Sequence, residues 1–385
     1  MKRVLSVFGT RPEAIKMAPV VKELEKRKDI ESIVCVTAQH RDMLDQVLEI
    51  FKIKPDYDLN IMKPGQTLSY ITAEVIKELE KVIIEVKPDI VLVHGDTTTS
   101  MAAALAAFYQ HVDVGHVEAG LRTYDKYSPF PEEINRQVID KIADYLFAPT
   151  STSCSNICGC ICDDVKFSGD IIDVKSSQMN KGQKIYITGN TVIDALKTTV
   201  TTEYKNEILD WVGNDRMVLV TAHRRENLGE PMRRIFRAMR KIIDEFEDVK
   251  LIYPVHLNPK VQEAARSILG DSDRIRLIDP LDAFDFHNFM DKAYFIMSDS
   301  GGVQEEAPAL GKPVLVLRDT TERPEGIKAG TLKLVGTNEK EVYNAAKLLL
   351  TNKEAYDAMS KANNPYGDGF ASKYIVDAIL ENERG

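Results

Sequence analysis

The sequence predicts two doubly wound α/β domains, and three observations carry that expectation. Short Val- and Ile-rich runs alternate with helical patterns along almost the whole chain. Few of these runs show polar alternation, so their strands are buried on both faces of a parallel sheet. The alternation begins at Val4 and starts afresh near Met217, which divides 385 residues into two portions of ordinary domain size. Charged and titratable residues recur immediately after the runs, at the strand ends where an open α/β sheet binds its ligands.

In the first half, Val4–Phe8 is the opening strand. Gly9-Thr10-Arg11-Pro12-Glu13 is the turn into a helix over about 13–28, with Pro12 where a missing N–H costs nothing. Ile33–Thr37, Ile90–His94 and Val112–Val117 are further strands, with helices over 70–86 and 98–109 between them. In the second half the strands are Met217–Thr221, Leu251–Pro254, Ile275–Ile278, Phe295–Ser298 and Val314–Leu317. Helices follow at about 228–247, 259–268, 282–291, 304–310 and 339–352. The expected domains are 1–187 and 188–369, broken at Thr188-Gly189-Asn190-Thr191, with a terminal helix in 370–385. Arg11, Asp96, Glu118, His223 and Ser300 all follow strands, which implies a cleft between two facing sheets.

Composition narrows the function. Hydrophobic content of 44% and charged content of 28% are ordinary for a soluble globular protein. A net charge of −9 disfavours nucleic acid but not a small anion gathered by a few Arg and Lys in a cleft. No apolar run approaches the roughly 20 residues of a membrane span. Met1–Gly9 is too short for a signal peptide, so no membrane partner and a cytoplasmic location are expected. Neither a Gly-x-Gly-x-x-Gly after a strand nor a Walker A sequence is present, so no nicotinamide or ATP cofactor is indicated.

Several motifs admit both a functional and a plain structural role. Ser298-Asp299-Ser300-Gly301-Gly302 ends a strand and opens a helix carrying Glu305 and Glu306. Backbone N–H groups at such a turn suit a phosphate. Arg323, in Asp319-Thr320-Thr321-Glu322-Arg323-Pro324-Glu325, is close enough in sequence to serve the same crevice. Arg11 is either a surface residue or a bidentate clamp for phosphate. Lys16 and Lys26 are weaker candidates of the same kind. Asp96 either caps the helix that follows it or takes part in chemistry. Glu118, between Gly115 and Gly120 at a strand end, favours function, whereas Glu132 and Glu133 also complement the dipole of the helix they open. His223 could be base, acid or donor to a diphosphate, and His256 a turn-shaping residue. Of five cysteines, Cys35 reads as a small core residue. Cys154, Cys158, Cys160 and Cys162 match no familiar zinc or iron–sulfur spacing. In an extended chain their alternate positions point apart, and the polar residues around them indicate an exposed loop, so no metal is expected.

Taken together, these motifs resemble the non-hydrolysing UDP-N-acetylglucosamine 2-epimerase family over nearly the whole chain. The matching stretches include Phe8-Gly9-Thr10-Arg11-Pro12-Glu13, Gly95-Asp96-Thr97-Thr98, Gly115-His116-Val117-Glu118-Ala119-Gly120-Leu121-Arg122 and His223-Arg224-Arg225-Glu226. Asp299-Ser300-Gly301-Gly302 through Glu306, and Arg318 through Glu325, complete the set. The resemblance implies two Rossmann-like domains facing a central cleft in the GT-B manner, a homodimer, and a C-terminal helix that crosses back to the first domain. It implies interconversion of UDP-N-acetylglucosamine and UDP-N-acetylmannosamine with no metal or nicotinamide, for a product that typically feeds surface polysaccharides. Asp96, Glu118, Glu132 and His223 are then catalytic. Arg11, Lys16, Lys26, Phe286, Ser300, Gly301, Gly302, Glu306 and Arg323 are then substrate-binding. Gln39 and His256 match the position of a second, allosteric substrate molecule held by some members, whereas Asp42 and Gly65 depart from that pattern. Leu281 replaces a Gln common in the family, and residues 153–184 do not resemble it.

The mechanism expected from this resemblance is loss of UDP from C1 with the C2 proton, through 2-acetamidoglucal, followed by re-addition. A glycosyltransferase, a hydrolysing epimerase and a non-catalytic nucleotide-sugar sensor are the alternatives, and of these the sensor has least use for three strand-end acids.

Overall fold

The computed structural model describes residues 1–37, 41–61, 63, 65–162, 166–172, 176, 178–321 and 323–381, with the backbone alone at 41–43. It forms two compact units, 1–195 with 366–385, and 196–365. Each is a Rossmann-like parallel sheet with helices between its strands.

The first unit contains β1 (Lys2–Phe8), β2 (Ile30–Val36), β3 (Tyr57–Asp58), β4 (Ile90–His94), β5 (Asp113–Val117), β6 (Tyr145–Ala148) and β7 (Lys184–Ile187). Among the described residues these form one sheet in the order β3-β2-β1-β4-β5-β6-β7, every pair parallel. The second unit contains β8 (Arg216–Thr221), β9 (Val249–Pro254), β10 (Ile275–Ile278), β11 (Phe295–Ser298), β12 (Val314–Val316) and β13 (Leu332–Leu334). Their order, β10-β9-β8-β11-β12-β13, is again wholly parallel. In both sheets the winding reverses once, between β1 and β4 and between β8 and β11. The loops leaving the two strands at such a point diverge and open a crevice at the carboxyl ends.

The nine strands expected from Val- and Ile-rich runs are present. The strands not anticipated, β3, β6, β7 and β13, have two to four residues each and contain no Val, so they do not stand out as Val- and Ile-rich runs. Helix Glu230–Glu245 buries Met232, Ile235, Phe236, Met239, Ile242 and Ile243 at three- and four-residue spacing, one apolar stripe against the second sheet. Helix Thr98–Tyr109 differs, burying Ala102, Ala103, Ala104, Ala106 and Ala107 around most of its circumference. Small side chains let it lie between the sheet and the helices Leu68–Val86 and Glu132–Ile142.

Residues 188–195 lie in the first unit, where Asn190 N donates to Tyr366 O at 2.7 Å. Asp194 accepts from Ala371 N at 3.1 Å and Ser372 N at 2.9 Å, capping the terminal helix Ala371–Glu381. That helix buries Ile375, Val376, Ala378 and Ile379, and packs on helix Arg11–Glu25.

The cysteine segment differs from its expectation. Ser151–Cys158 is a helix, and Cys154, Cys158 and Cys162 are buried in the core of the first unit. Residues at i and i+4 share one helix face, so Cys154 and Cys158 point the same way. The local polarity belongs to the opposite face. Among the described residues, no helix is long and apolar enough to cross a membrane.

Candidate active site

The first unit gathers its ionisable groups at the ends of β1, β4 and β5. Glu118 follows β5 with φ of 68°, a left-handed conformation that costs a residue with a Cβ about 1 kcal/mol or more. Its Oε1 accepts from Lys16 Nζ at 2.5 Å and Asn190 Nδ2 at 2.9 Å. Its Oε2 lies 3.4 Å from His94 Nε2, without hydrogen-bond alignment. Burial alone pushes the Glu118 carboxyl up, but Lys16, His94 and the two hydrogen bonds outweigh it and hold the pKa below the usual carboxylate range. Burial pushes His94 down to about 3, so that ring is neutral at pH 7.

Asp96, one residue past the β4 turn, is bonded to the buried guanidinium of Arg136, and its backbone carbonyl accepts from Asn135 Nδ2 at 2.9 Å. Arg136 and Asn135 both belong to helix Glu132–Ile142, so this helix positions Asp96. The two acids that open the helix divide their roles. Glu133 accepts from the backbone N of Thr123 and Tyr124 at 3.0 and 3.1 Å, fixing the preceding loop. Glu132 Oε2 is buried with no hydrogen-bond partner among the described residues. Beneath the loops, His116 bridges Asp140 Oδ1 at 2.6 Å and Gly95 O at 2.7 Å. Glu13 accepts from Gly9 N at 3.1 Å, Thr10 N at 2.8 Å and Thr97 Oγ1 at 2.6 Å, tying the β1 and β4 turns together.

The second unit gathers its polar groups at the same topological feature. Asp299, fully buried after β11, accepts through Oδ2 from His223 N at 2.8 Å, Arg224 N at 2.9 Å and Asn227 Nδ2 at 3.1 Å. Its Oδ1 lies 3.3 Å from His223 Nδ1, without hydrogen-bond alignment. Burial lowers the His223 pKa, with Asp299 opposing. Helix Gly301–Ala309 begins behind Ser300. A Cβ on Gly301 would lie 2.7 Å from Arg323 Nη1, so the guanidinium rests on the first helical residue. Glu305 holds Arg323 Nε at 2.6 Å. Positive helix end and guanidinium thus coincide, an arrangement suited to phosphate. Glu306 Oε1 would lie 3.2 Å from a Cβ on Gly302, and its Oε2 is 3.6 Å from His287 Nε2.

Lys16, Asp96, Glu118 and Glu132 are thus brought to the strand ends of the first unit, and Arg11 opens helix Arg11–Glu25 beside them. Lys26 is not among them. It caps the far end of that helix, about 22 Å along the axis, 70% exposed and paired with Glu23 at 3.0 Å. His223, Ser300, Gly301, Gly302 and Arg323 converge in the second unit. His256 is exposed and stacks on His223 at 5.5 Å, and Phe286 and Leu281 pack on a core cluster. Gln39 lies outside the described residues. Asn190, His94 and Arg136 were not anticipated as site residues, and Glu305 was anticipated as an acid beside the turn but not as the partner of Arg323. Asn190 and Glu118 are 72 positions apart, and nothing in either local sequence links them.

Residues 22–380 match the family model described as UDP-N-acetylglucosamine 2-epimerase. The chain is 60% identical over 378 residues to the UDP-N-acetylglucosamine 2-epimerase of Bacillus subtilis strain 168, covering 98% of this chain and 95% of the relative. A putative UDP-N-acetylglucosamine 2-epimerase from Listeria monocytogenes superposes with a TM-score of 0.92 at 56% identity, over 100% of this chain and 97% of that one. The UDP-GlcNAc 2-epimerase of Neisseria meningitidis, solved bound to UDP-GlcNAc, superposes at 0.82 with 47% identity, over 99% of this chain and 100% of that one.

Proposed function

The chain belongs to the UDP-N-acetylglucosamine 2-epimerase family, and we propose that it interconverts UDP-N-acetylglucosamine and UDP-N-acetylmannosamine without hydrolysing either. The C2 hydrogen of such a sugar is weakly acidic, since no adjacent carbonyl takes up the charge. Elimination lowers that barrier. The C1–O bond to the diphosphate breaks as C2 loses its proton, leaving 2-acetamidoglucal and UDP. Protonation of C2 from the other face, with return of the UDP oxygen to C1, gives the epimer. The atoms balance with neither water nor a redox partner.

Two demands follow. The departing diphosphate needs fixed positive charge, which the helix end at Gly301 and Arg323 supply in preorganised form, while His223, its pKa lowered by burial, serves as a neutral ring donor. Glu306 accepts from hydroxyls of the nucleoside, and Arg11, at the start of its helix in the first unit, is a further substrate-binding residue. The C2 proton needs carriers in unlike surroundings. Glu118 beside Lys16, Asp96 on Arg136 and Glu132, whose buried Oε2 has no hydrogen-bond partner among the described residues, are that set.

The observation that carries the reading is Glu118: a buried carboxylate, left-handed at its strand end, held ionised by Lys16 and Asn190. Stability alone does not call for that combination. The test is incubation with UDP-N-acetylglucosamine alone in heavy water, followed by NMR. Deuterium at C2 together with the UDP-linked manno epimer is expected. Release of free N-acetylmannosamine would assign a hydrolase instead, and unchanged substrate would refute the reading.

A further inference from the structure

The cysteines that follow β6 play no part in this chemistry. Cys154 and Cys158 project from one face of helix Ser151–Cys158 into the core of the first unit. Gly159, with φ of 69°, ends the helix and turns the chain back. Cys162 N then donates to Ser155 Oγ at 3.0 Å, which returns the Cys162 side chain to the same pocket. The Sγ of Cys162 lies 2.9 Å from that of Cys154 and 3.5 Å from that of Cys158. All three sulfurs are within 4.8 Å of one another, all three residues are buried, and none is in a disulfide. Cys160, half-buried, brings its sulfur to 3.0 Å from Cys158 Sγ.

We propose that Cys154, Cys158 and Cys162 bind one zinc ion through their sulfurs, with Cys160 completing the tetrahedron on the solvent side. Apolar packing gives no reason for three sulfurs to converge with a fourth beside them, since Ala or Val would fill the same space. A set made only of sulfur excludes calcium and magnesium, which take oxygen ligands. Zinc–thiolate bonds of about 2.3 Å set sulfurs roughly 3.8 Å apart, so the triad needs to open by less than about 1 Å. A divalent ion cancels more of the buried thiolate charge than a monovalent one such as Cu⁺. Each thiol that binds gives its proton to solvent.

The site staples the irregular stretch after Gly159 to the helix that backs the Glu118 loop. Asn156 of that helix donates to Gly120 O at 3.0 Å, and the Ser153 carbonyl oxygen would sit 2.2 Å from a Cβ on Gly120. Zinc therefore acts on stability and on the firmness of this loop, not on the reacting carbon.

The full-length protein, reduced, stripped with a chelator under nitrogen, given zinc chloride and desalted, should retain about one zinc per chain. Cobalt in its place should give thiolate-to-cobalt charge-transfer bands and the visible spectrum of a tetrahedral sulfur site. Cys158→Ser should weaken zinc binding about 100-fold, and Cys35→Ser should leave it unchanged. Zinc should raise the melting temperature of the unaltered protein by several degrees and that of Cys158→Ser hardly at all. Zinc retention below about a tenth of an ion per chain overturns the proposal. So does equal retention by Cys158→Ser, a cobalt spectrum of oxygen ligands, or uptake of Cu⁺ with zinc not held. A Cys154–Cys162 disulfide that, once reduced, leaves a protein taking up no zinc overturns it as well. Should Cys158→Ser fail to fold, the cobalt spectrum of the unaltered protein decides.

Discussion

A carboxylate taken out of water becomes harder to ionise unless its neighbours intervene, and at Glu118 the Lys16 ammonium and the Asn190 amide do so. Glu118→Gln keeps the size and most of the hydrogen bonds while removing the charge. Its kcat should fall about 10²- to 10⁴-fold with the circular dichroism spectrum unchanged, and a fall under tenfold would remove Glu118 from the proton-transfer set. His94 makes a separate prediction. Burial holds its pKa at about 3 against an ordinary 6.5, so between those values the unfolded chain binds a proton that the folded chain does not. Stability therefore drops as pH falls through this window, by up to about 1.4 kcal/mol per pH unit from this group. Glu118, its pKa depressed to about 2, adds stability present above its ordinary value of 4.5 and lost as pH falls from there through the depressed value. In His94→Gln the melting temperature should depend less on pH between 6.5 and 4.5, where His94 dominates. An unaltered slope would mean that the ring is not buried neutral.

At the scale of the element, the β11 turn and its helix are one device. Gly301 is glycine because Arg323 occupies the space a Cβ would take. Gly301→Ala should displace the guanidinium and raise the KM for UDP-N-acetylglucosamine about tenfold while kcat changes little, the pattern of lost ground-state binding. Equal losses in kcat and kcat/KM would instead place Arg323 on the transition state alone. Helix Arg11–Glu25 separates two residues that the family resemblance groups together. Arg11 is at its N-terminus and Lys26 caps its other end. Lys26→Ala should leave kcat/KM within about twofold, as for any solvated lysine, and a larger loss in steady-state assays would contradict this placement. Strand ends were legible because a run of four or more apolar residues announces where the next polar residue must emerge. The cysteine helix was not, since its apolar face is only Cys154, Ile157 and Cys158 spaced among Ser and Asn, which carry little hydrophobic signal.

At the scale of the whole molecule, the chain leaves its first unit at residue 195 and returns at 366. The returning helix buries Ile375 and Ile379 completely and caps itself on Asp194. Ile379→Ala should destabilise the protein by about 2–5 kcal/mol in chemical denaturation. Truncation after residue 369 should strip the cover from helix Arg11–Glu25 and lose soluble, active protein. A truncated chain with native melting temperature and activity would show the helix to be dispensable.

The sequence by itself determined the fold class, nine of the strands, and the candidate residues that follow them, because burial of a parallel strand and the chemistry of a turn are written within about ten consecutive residues. It also carried the family. The tertiary structure decided which of those residues have partners. Lys16 and Glu118 lie 102 positions apart, and His223 N and Asp299 are 76 apart. Such pairs form only when separate crossovers of a parallel sheet bring distant strand ends side by side, and local periodicity holds no record of that register. The same reason underlies the cysteines, whose sulfurs meet through a helix turn and a reversal at Gly159 that their spacing alone did not reveal.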